Sequence, residues 1–397
     1  MRPLTLVITL VLLAACSGAP SGTGAPSGTG APPGTAPPAS PTPSASPAGQ
    51  PLAALVDFPS GTGPQSTGYD LSLVGADGRV VARAHAAART FIGTGGTGGG
   101  AAALDLPEVS AANGRVYYLD GDQNLRSLAP TGSASDVLAS LPGSATAHAA
   151  FAVSPDGRSI AVAVLTYGGG APSVTSLYIE DLPGGNRHDI THSGPDLVWP
   201  VGWHGTNLVL ATSSTGFSLQ GLTFNPYFAA GYLLVDPATS NRVATVAGGG
   251  DPATGCVVTG LIVASGTACW HATSQTAGEV WFLNWTGARG DTVAVQRPSA
   301  TAALNPDRES AGICCDASGA VLVAQNHAAP APTALQGSPD SWPCWVDDQH
   351  LLAGSVNDHQ FQPGVLAVGA GTVARVADAH GFCAAVLGSA GAAAEPV

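Results

Sequence analysis

One unit, a pair of alternating strands joined by a tight turn and followed by two more strands, returns along this chain and limits what it can fold into. It is clearest at residues 151–164, FAVSPDGRSIAVAV, where apolar residues alternate on both sides of Pro155-Asp156-Gly157. A period of two puts every other side chain on the same face of a strand, and Asp-Gly suits the left-handed backbone of a hairpin turn. The chain continues as SLYIEDLPGGNRHDIT to Thr191, so strands are expected over Ala150–Val153, Ile160–Leu165, Ser176–Glu180 and Arg187–Ile190. Weaker copies surround it. Upstream, LPEVSAANGRVYYLDGDQNLRSLAP turns at Asn113-Gly114. Downstream, VGWHGTNLVLATS leads to GYLLVDPATSNRVATVA, and CVVTGLIVASGTACWHAT to EVWFLNWTGARGDTVAVQ. AGICCDASGAVLVAQN begins a shorter unit, and PCWVDDQHLLAGSV pairs with GVLAVGAGTVARVAD.

A four-strand unit recurring every 30 to 60 residues or so implies a ring or array of small sheets. No amphipathic helix interrupts the units, which disfavours a parallel α/β sheet. The expectation is an all-β fold, a β-propeller of seven blades, or six if the short unit near Cys315 is absorbed by a neighbour. LAALVDF and YDLSLVGADGRVVARA supply about three strands at the start, and GFCAAVLGS supplies one at the end. Joined in one blade, these N- and C-terminal strands would close the ring and protect its edges. Over residues 150–191, Ser154-Pro155-Asp156-Gly157, then Leu177-Tyr178-x-x-Asp181-Leu182, then a closing Thr191 resemble the WD-like repeat of TolB-type propellers. The resemblance implies the propeller alone. TolB places an α/β domain before its propeller, whereas a low-complexity segment precedes this one, so TolB's partners are not carried over.

That segment follows an export signal. Arg2 is followed by an apolar core, Leu4 to Leu13, too short for an ordinary membrane span. Leu13-Ala14-Ala15-Cys16 resembles a bacterial lipobox, which implies cleavage after residue 15 and a lipid (diacylglycerol, with palmitate-type chains) on Cys16. Residues 16–50 are then a lipidated cysteine and a linker of Gly, Ala, Pro, Ser and Thr with a single Gln, unable to bury a core. A coil of that length spans roughly 35 Å. Residues 51–397 are expected to form the propeller, held by the lipid at the extracytoplasmic face of a bacterial cell membrane.

The 13 basic residues, all arginine, face 26 acidic ones, a net charge of −13. Such a surface repels phosphate backbones, so nucleic acid is not an expected partner. Outside the cell, Cys256, Cys269, Cys314, Cys315, Cys344 and Cys383 are expected in disulfides rather than a zinc site, since no Cys-x-x-Cys pair occurs. Cys256 and Cys269 flank a hairpin and are expected to pair. Cys314 or Cys315, Cys344 and Cys383 read as similar positions in innermost strands of successive blades, which points to bonds between blades.

Motifs for chemistry are absent or out of place. Gly93, Gly95 and Gly98 satisfy G-x-G-x-x-G but lack the following helix that a dinucleotide needs. Asp120-Gly-Asp122-Gln-Asn124 lacks the later glycine and glutamate of a calcium loop. His188 and His192 straddle a strand end. No G-x-S-x-G occurs, and without lysine no Ser-Lys dyad or Schiff base can form. No catalytic residue, metal ligand or cofactor is therefore assigned.

Loop length is more informative. The first turn of each unit is short, as at Asn113-Gly114, Asp156-Gly157 and His204-Gly205, whereas the second runs long at 166–175, 214–230, 326–332 and 357–363. In a four-strand meander the second turns share a face with the connections between blades. Long loops on a rigid scaffold carry binding. The candidate contact residues are Tyr167, Phe217, Phe224, Tyr227, Phe228, His359 and Phe361, the competing reading being that loop 214–230 folds onto its own blade. The leading expectation is an envelope lipoprotein whose propeller binds a protein, peptide or glycan. The alternative is a propeller enzyme of the quinone-dependent dehydrogenase, lyase or glycosidase type, with its site at the channel mouth. Carboxylates or histidines converging on the channel would favour the enzyme, and an empty apolar or aromatic face would favour binding.

Overall fold

The computed structural model describes residues 50–61, 66–92, 106–167, 173–192, 196–213, 229–247, 255–297, 301–338, 341–355 and 358–388. The signal, Cys16, the linker and the glycine motif at 93–98 lie outside them. The described strands form seven antiparallel sheets of four, with no helix, arranged as a seven-bladed propeller. No helix among the described residues is long and apolar enough to cross a membrane.

Blade III shows how the opening motif builds a blade. Its strands are β8 (Ala147–Val153), β9 (Ser159–Thr166), β10 (Ser173–Asp181) and β11 (His188–Asp189), within a few residues of those expected. At the first turn the Ser154 hydroxyl donates to Asp156 Oδ1 at 2.6 Å and accepts the Ser159 amide at 2.9 Å, while Gly157 takes φ 73°. The Ser154 hydroxyl, and then the Arg158 amide at 3.1 Å, hold the Asp156 carboxyl below its usual range. Both faces of the sheet are buried, and over Ala150–Val153 and Ile160–Ala163 alternation divides them by size. Ala150, Ala152, Ala161 and Ala163 face blade IV, where Trp199, Leu208, Leu210 and Tyr232 fill the space. Phe151, Val153, Ile160 and Val162 face Leu119 and Leu125 of blade II. Large against small lets neighbouring blades interdigitate without voids.

The short unit near Cys315 is a complete blade. Blade VI contains β20 (Thr301–Leu304), β21 (Ala311–Cys314), β22 (Ala320–Ala324) and β23 (Ala331–Gln336). Its first turn, Asn305-Pro306-Asp307-Arg308, is a disguised copy of Ser154-Pro155-Asp156-Gly157. Asn305 Oδ1 accepts the amide of Ser310 at 2.8 Å, five residues on, as Ser154 does for Ser159. Arg308 sits at φ 64° where the clearer copy has glycine.

Blade I closes the ring. β28 (Phe382–Leu387) pairs antiparallel with β1 (Leu52–Asp57), followed by β2 (Gly68–Gly75) and β3 (Val80–Ala87). The register sets Leu52 opposite Leu387 and Val56 opposite Phe382. Cys344, in the innermost strand β24 (Ser341–Trp345) of blade VII, is bonded to Cys383 of β28, with Cα atoms 6.1 Å apart. This bond between blades matches the expectation, as does Cys256–Cys269 across the first hairpin of blade V. In the loop-entropy account such bonds contribute about 3–4 kcal/mol, the one enclosing the longer loop more. The remaining pair corrects the expectation. Cys314 belongs to β21, the second strand of its blade, and is bonded to its neighbour Cys315. Placing Cys314 in an innermost strand had overlooked β20.

Candidate functional site

The channel is the first place to look for chemistry, because all seven innermost strands meet there. Its described lining includes Val109, Ala111, Val153, Trp203, Leu304, Trp345 and Ala385, around a cavity of about 90 Å³. No carboxylate, histidine or arginine is among the described lining residues. The one aliphatic hydroxyl, Ser110, is occupied in accepting the Val153 amide at 3.1 Å.

The cavity is small because blade V reaches into it. Between β16 (Val257–Val258) and β17 (Thr267–Ala272) the first connection is not a tight turn, contrary to the pattern expected from the other blades. Gly260-Leu261-Ile262-Val263 lines the channel instead. Leu261 packs against the apolar clusters of blades I and VII, Ile262 against that of blades III and IV, and Val263 against that of blades V and VI. Two glycines permit it. A Cβ on Gly202 would lie 2.5 Å from Ile262 Cδ1, and one on Gly260 would lie 2.3 Å from the Ala302 carbonyl. The segment is an apolar plug.

Polar groups converge elsewhere. A cleft of about 340 Å³ is lined by Asp57, Asp70, Ser72, Arg83 and His85 of blade I and by Asp378 and His380 of the connection leading into β28. Asp57 ends β1 and stands directly opposite Asp70 of β2, which stands opposite His85 of β3. Like charges directly opposite in a sheet repel, and here each carboxylate has an imidazole partner. His359 Nδ1 lies 2.8 Å from Asp57 Oδ1, and His85 Nδ1 lies 2.7 Å from Asp70 Oδ1. A carboxylate only accepts, so both Nδ1 atoms carry a proton. Asp57 is 13% exposed and His359 32%, whereas the His85 pair stands open to solvent. Arg83 donates to the Asp378 carbonyl at 2.7 Å, and His380 Nδ1 donates to the Phe361 carbonyl at 3.0 Å.

The cleft opens on the long-loop side, since β1–β2 is the second turn of blade I and 358–363 belongs to the second turn of blade VII. His359 adjoins the cleft through Asp57, and Phe361 through its carbonyl, which His380 meets, though neither is among the residues that line it. Tyr167 does not line it; it is buried in blade III with its ring 5.6 Å from His148. His148 Nε2 donates to the Thr90 carbonyl at 2.9 Å, and burial, then Arg89, keep its imidazole below the ordinary range. Phe217, Phe224, Tyr227 and Phe228 lie outside the described residues. Sequence reasoning missed Asp57, Asp70, His85, Asp378 and His380, which have no linear motif. Their one signal is a charged residue at the end of an apolar strand, as in LVDF. Asp120 and Asp122 serve structure: Asp120 pairs with Arg126 at 2.8 Å, and Asp122 accepts the Thr90 amide and hydroxyl at 2.7 Å each. His188 Nε2 meets the Pro237 carbonyl at 3.2 Å. Among the described residues, no group of three or more His, Cys, Asp or Glu could hold a metal ion.

No protein-family model matches the chain, and no curated protein does. Many solved structures share its fold at low identity. An oligogalacturonate lyase from Vibrio parahaemolyticus is 11% identical with a TM-score of 0.46, covering 79% of this chain and 90% of that one. TolB from Acinetobacter baumannii is 11% identical with a TM-score of 0.36, covering 85% and 66%. Virginiamycin B lyase from Staphylococcus aureus is 10% identical with a TM-score of 0.41, covering 69% and 84%. The chain spans about a quarter of the tricorn protease that it also resembles, 26% of that chain at a TM-score of 0.37.

Proposed function

We propose that this chain is a lipid-anchored, extracytoplasmic binding propeller that takes a protein, peptide or glycan on its long-loop face. The observation that carries this reading is the apolar, plugged channel. General acid–base chemistry needs a titratable group within reach of the reacting atoms, and the described channel lining supplies no carboxylate or histidine, its one phenol, Tyr232, being buried with its hydroxyl turned to the Gly260 carbonyl. Polar contacts gather instead in the cleft around Asp57 and Asp70. Three aspartates against one arginine, Arg83, line that cleft, which favours a ligand group carrying an ammonium or guanidinium.

A photo-crosslinking amino acid placed at Phe361 should form adducts in living cells, while the same group at Arg158, on the tight-turn face, should not. Adducts from both faces alike, or from neither, would overturn the binding-face reading. The anchor has its own test. Cys16→Ala should release the protein into the medium or leave it as unprocessed precursor, and processed protein that still partitions with detergent would refute the lipid.

A further inference from the structure

Cys314 and Cys315 sit at the end of β21 on the long-loop side, 4% and 3% exposed, beneath Gly337 and Ser338, the described start of the connection out of blade VI. Resting on the reading of the cleft as a binding site, we propose that their disulfide is a redox switch for it: closed, it lets that connection hold the His359 loop against Asp57, and open, it releases the loop.

The connection is pressed onto the sulfurs. A Cβ on Gly337 would lie 2.4 Å from Cys315 Sγ and 3.1 Å from Cys314 Sγ, and the Ser338 carbonyl is 3.3 Å from Cys314 Sγ. Bonded sulfurs lie about 2 Å apart and unbonded ones need roughly 3.5–4 Å. A reduced pair cannot keep that separation under Gly337, so the sulfurs part and the connection moves.

From there a chain of hydrogen bonds leads to the cleft. The Ser338 amide donates to Ser341 Oγ at 2.7 Å, and Ser338 Oγ donates to Ser355 Oγ at 2.9 Å. Ser355 is 1% exposed, and its hydroxyl accepts the Asp358 amide at 3.2 Å. The next residue is His359, whose imidazole partners Asp57. Displacing Ser338 removes a partner from the buried Ser355, whose hydroxyl can then turn away from the Asp358 amide and loosen the 358–361 turn.

The chemistry is thiol–disulfide exchange with an extracytoplasmic dithiol. The donor's thiolate attacks one sulfur, the Cys314–Cys315 bond breaks, two thiols form, and the donor leaves as its own disulfide with two electrons and two protons transferred. Both sulfurs lie under the connection, so the reductant reaches them when it lifts. The closed bond and the seated connection thus stabilise each other.

Amide hydrogen exchange read by mass spectrometry tests this. In oxidised protein, Cys314→Ser with Cys315→Ser should speed exchange at Asp358–Phe361 by about tenfold or more, while Cys256→Ser with Cys269→Ser leaves it unchanged. Ser355→Ala should reproduce the fast exchange with the disulfide intact, because it cuts the chain of bonds midway. If the double serine variant does not fold, wild-type protein reduced under native conditions, with alkylation confirming thiols at Cys314 and Cys315, gives the same comparison. Unchanged exchange in that comparison, or free thiols at both positions in the native protein, overturns the switch. Phe361 adducts should fall when the bond is opened; adducts absent even from oxidised protein would overturn the binding reading rather than the switch.

Discussion

Truncation after Gly381 should leave a chain with no cooperative unfolding transition. The deletion removes β28, and with it the inner partner of β1, whose Leu52, Ala54, Leu55 and Val56 are at most 1% exposed. Large side chains such as Phe382 and Leu387 lose burial worth about 1.5–3 kcal/mol each, and the exposed β1 residues lose comparable amounts. The Cys344–Cys383 bond is lost as well. Together these approach the whole of a typical stability, roughly 5–15 kcal/mol. What the ring requires is the strand rather than chain continuity, and a graft separates the two. Leu387 lies opposite Leu52, and a Cβ on Gly388 would come within 3.4 Å of the Gln50 carbonyl, so a short turn can join them. Residues 380–388 placed ahead of Gln50 in the truncated chain should therefore restore a single transition in urea by circular dichroism. A truncated chain that still unfolds cooperatively, or a graft that recovers nothing, would show that closure works otherwise.

The fold was legible where its causes are local. Pro155-Asp156-Gly157 declares a hairpin because the turn needs those residues, and the alternation beside it declares two buried faces. The same device at Asn305–Arg308 was hidden because an arginine holds the left-handed position, so blade VI read as a fragment and Cys314 was placed one strand too far inward. Cys256 with Cys269 was legible as one hairpin, and a bond between blades was legible without its partners. The plug at Gly260–Val263 read as more strand, since an apolar run looks alike whether it lies in a sheet or leans into a channel. The cleft could not be read at all. Asp57, Asp70 and His85 meet through register across three strands, and His359 arrives from another blade. No spacing in the chain encodes that meeting, although loop length did direct attention to His359 and Phe361.

Arg89→Ala should destabilise the protein by about 3–5 kcal/mol at neutral pH, far more than a surface arginine would. Arg89 Nε and Glu108 Oε2 are 2.9 Å apart with side chains 6% and 11% exposed, where the connection from blade I enters blade II. The guanidinium also donates to the Pro107 carbonyl at 3.0 Å. Burial raises the Glu108 carboxyl above its ordinary range, and Arg89 opposes that rise. Removing Arg89 leaves the carboxylate buried without its counter-charge, so the rise grows. A carboxyl whose folded value lies above its unfolded one favours the folded state at low pH and loses that contribution as pH climbs through the folded value. The deficit of Arg89→Ala relative to wild type should therefore shrink as pH falls from neutrality into the acid range and Glu108 takes up its proton. Arg89→Met with Glu108→Leu should recover most of the loss at every pH, because apolar replacements of similar volume leave no charge buried. Calorimetric unfolding of the three proteins across that range decides the matter. A deficit below about 1 kcal/mol, or one that does not change with pH, would mean that Glu108 is solvated in a way its burial does not allow.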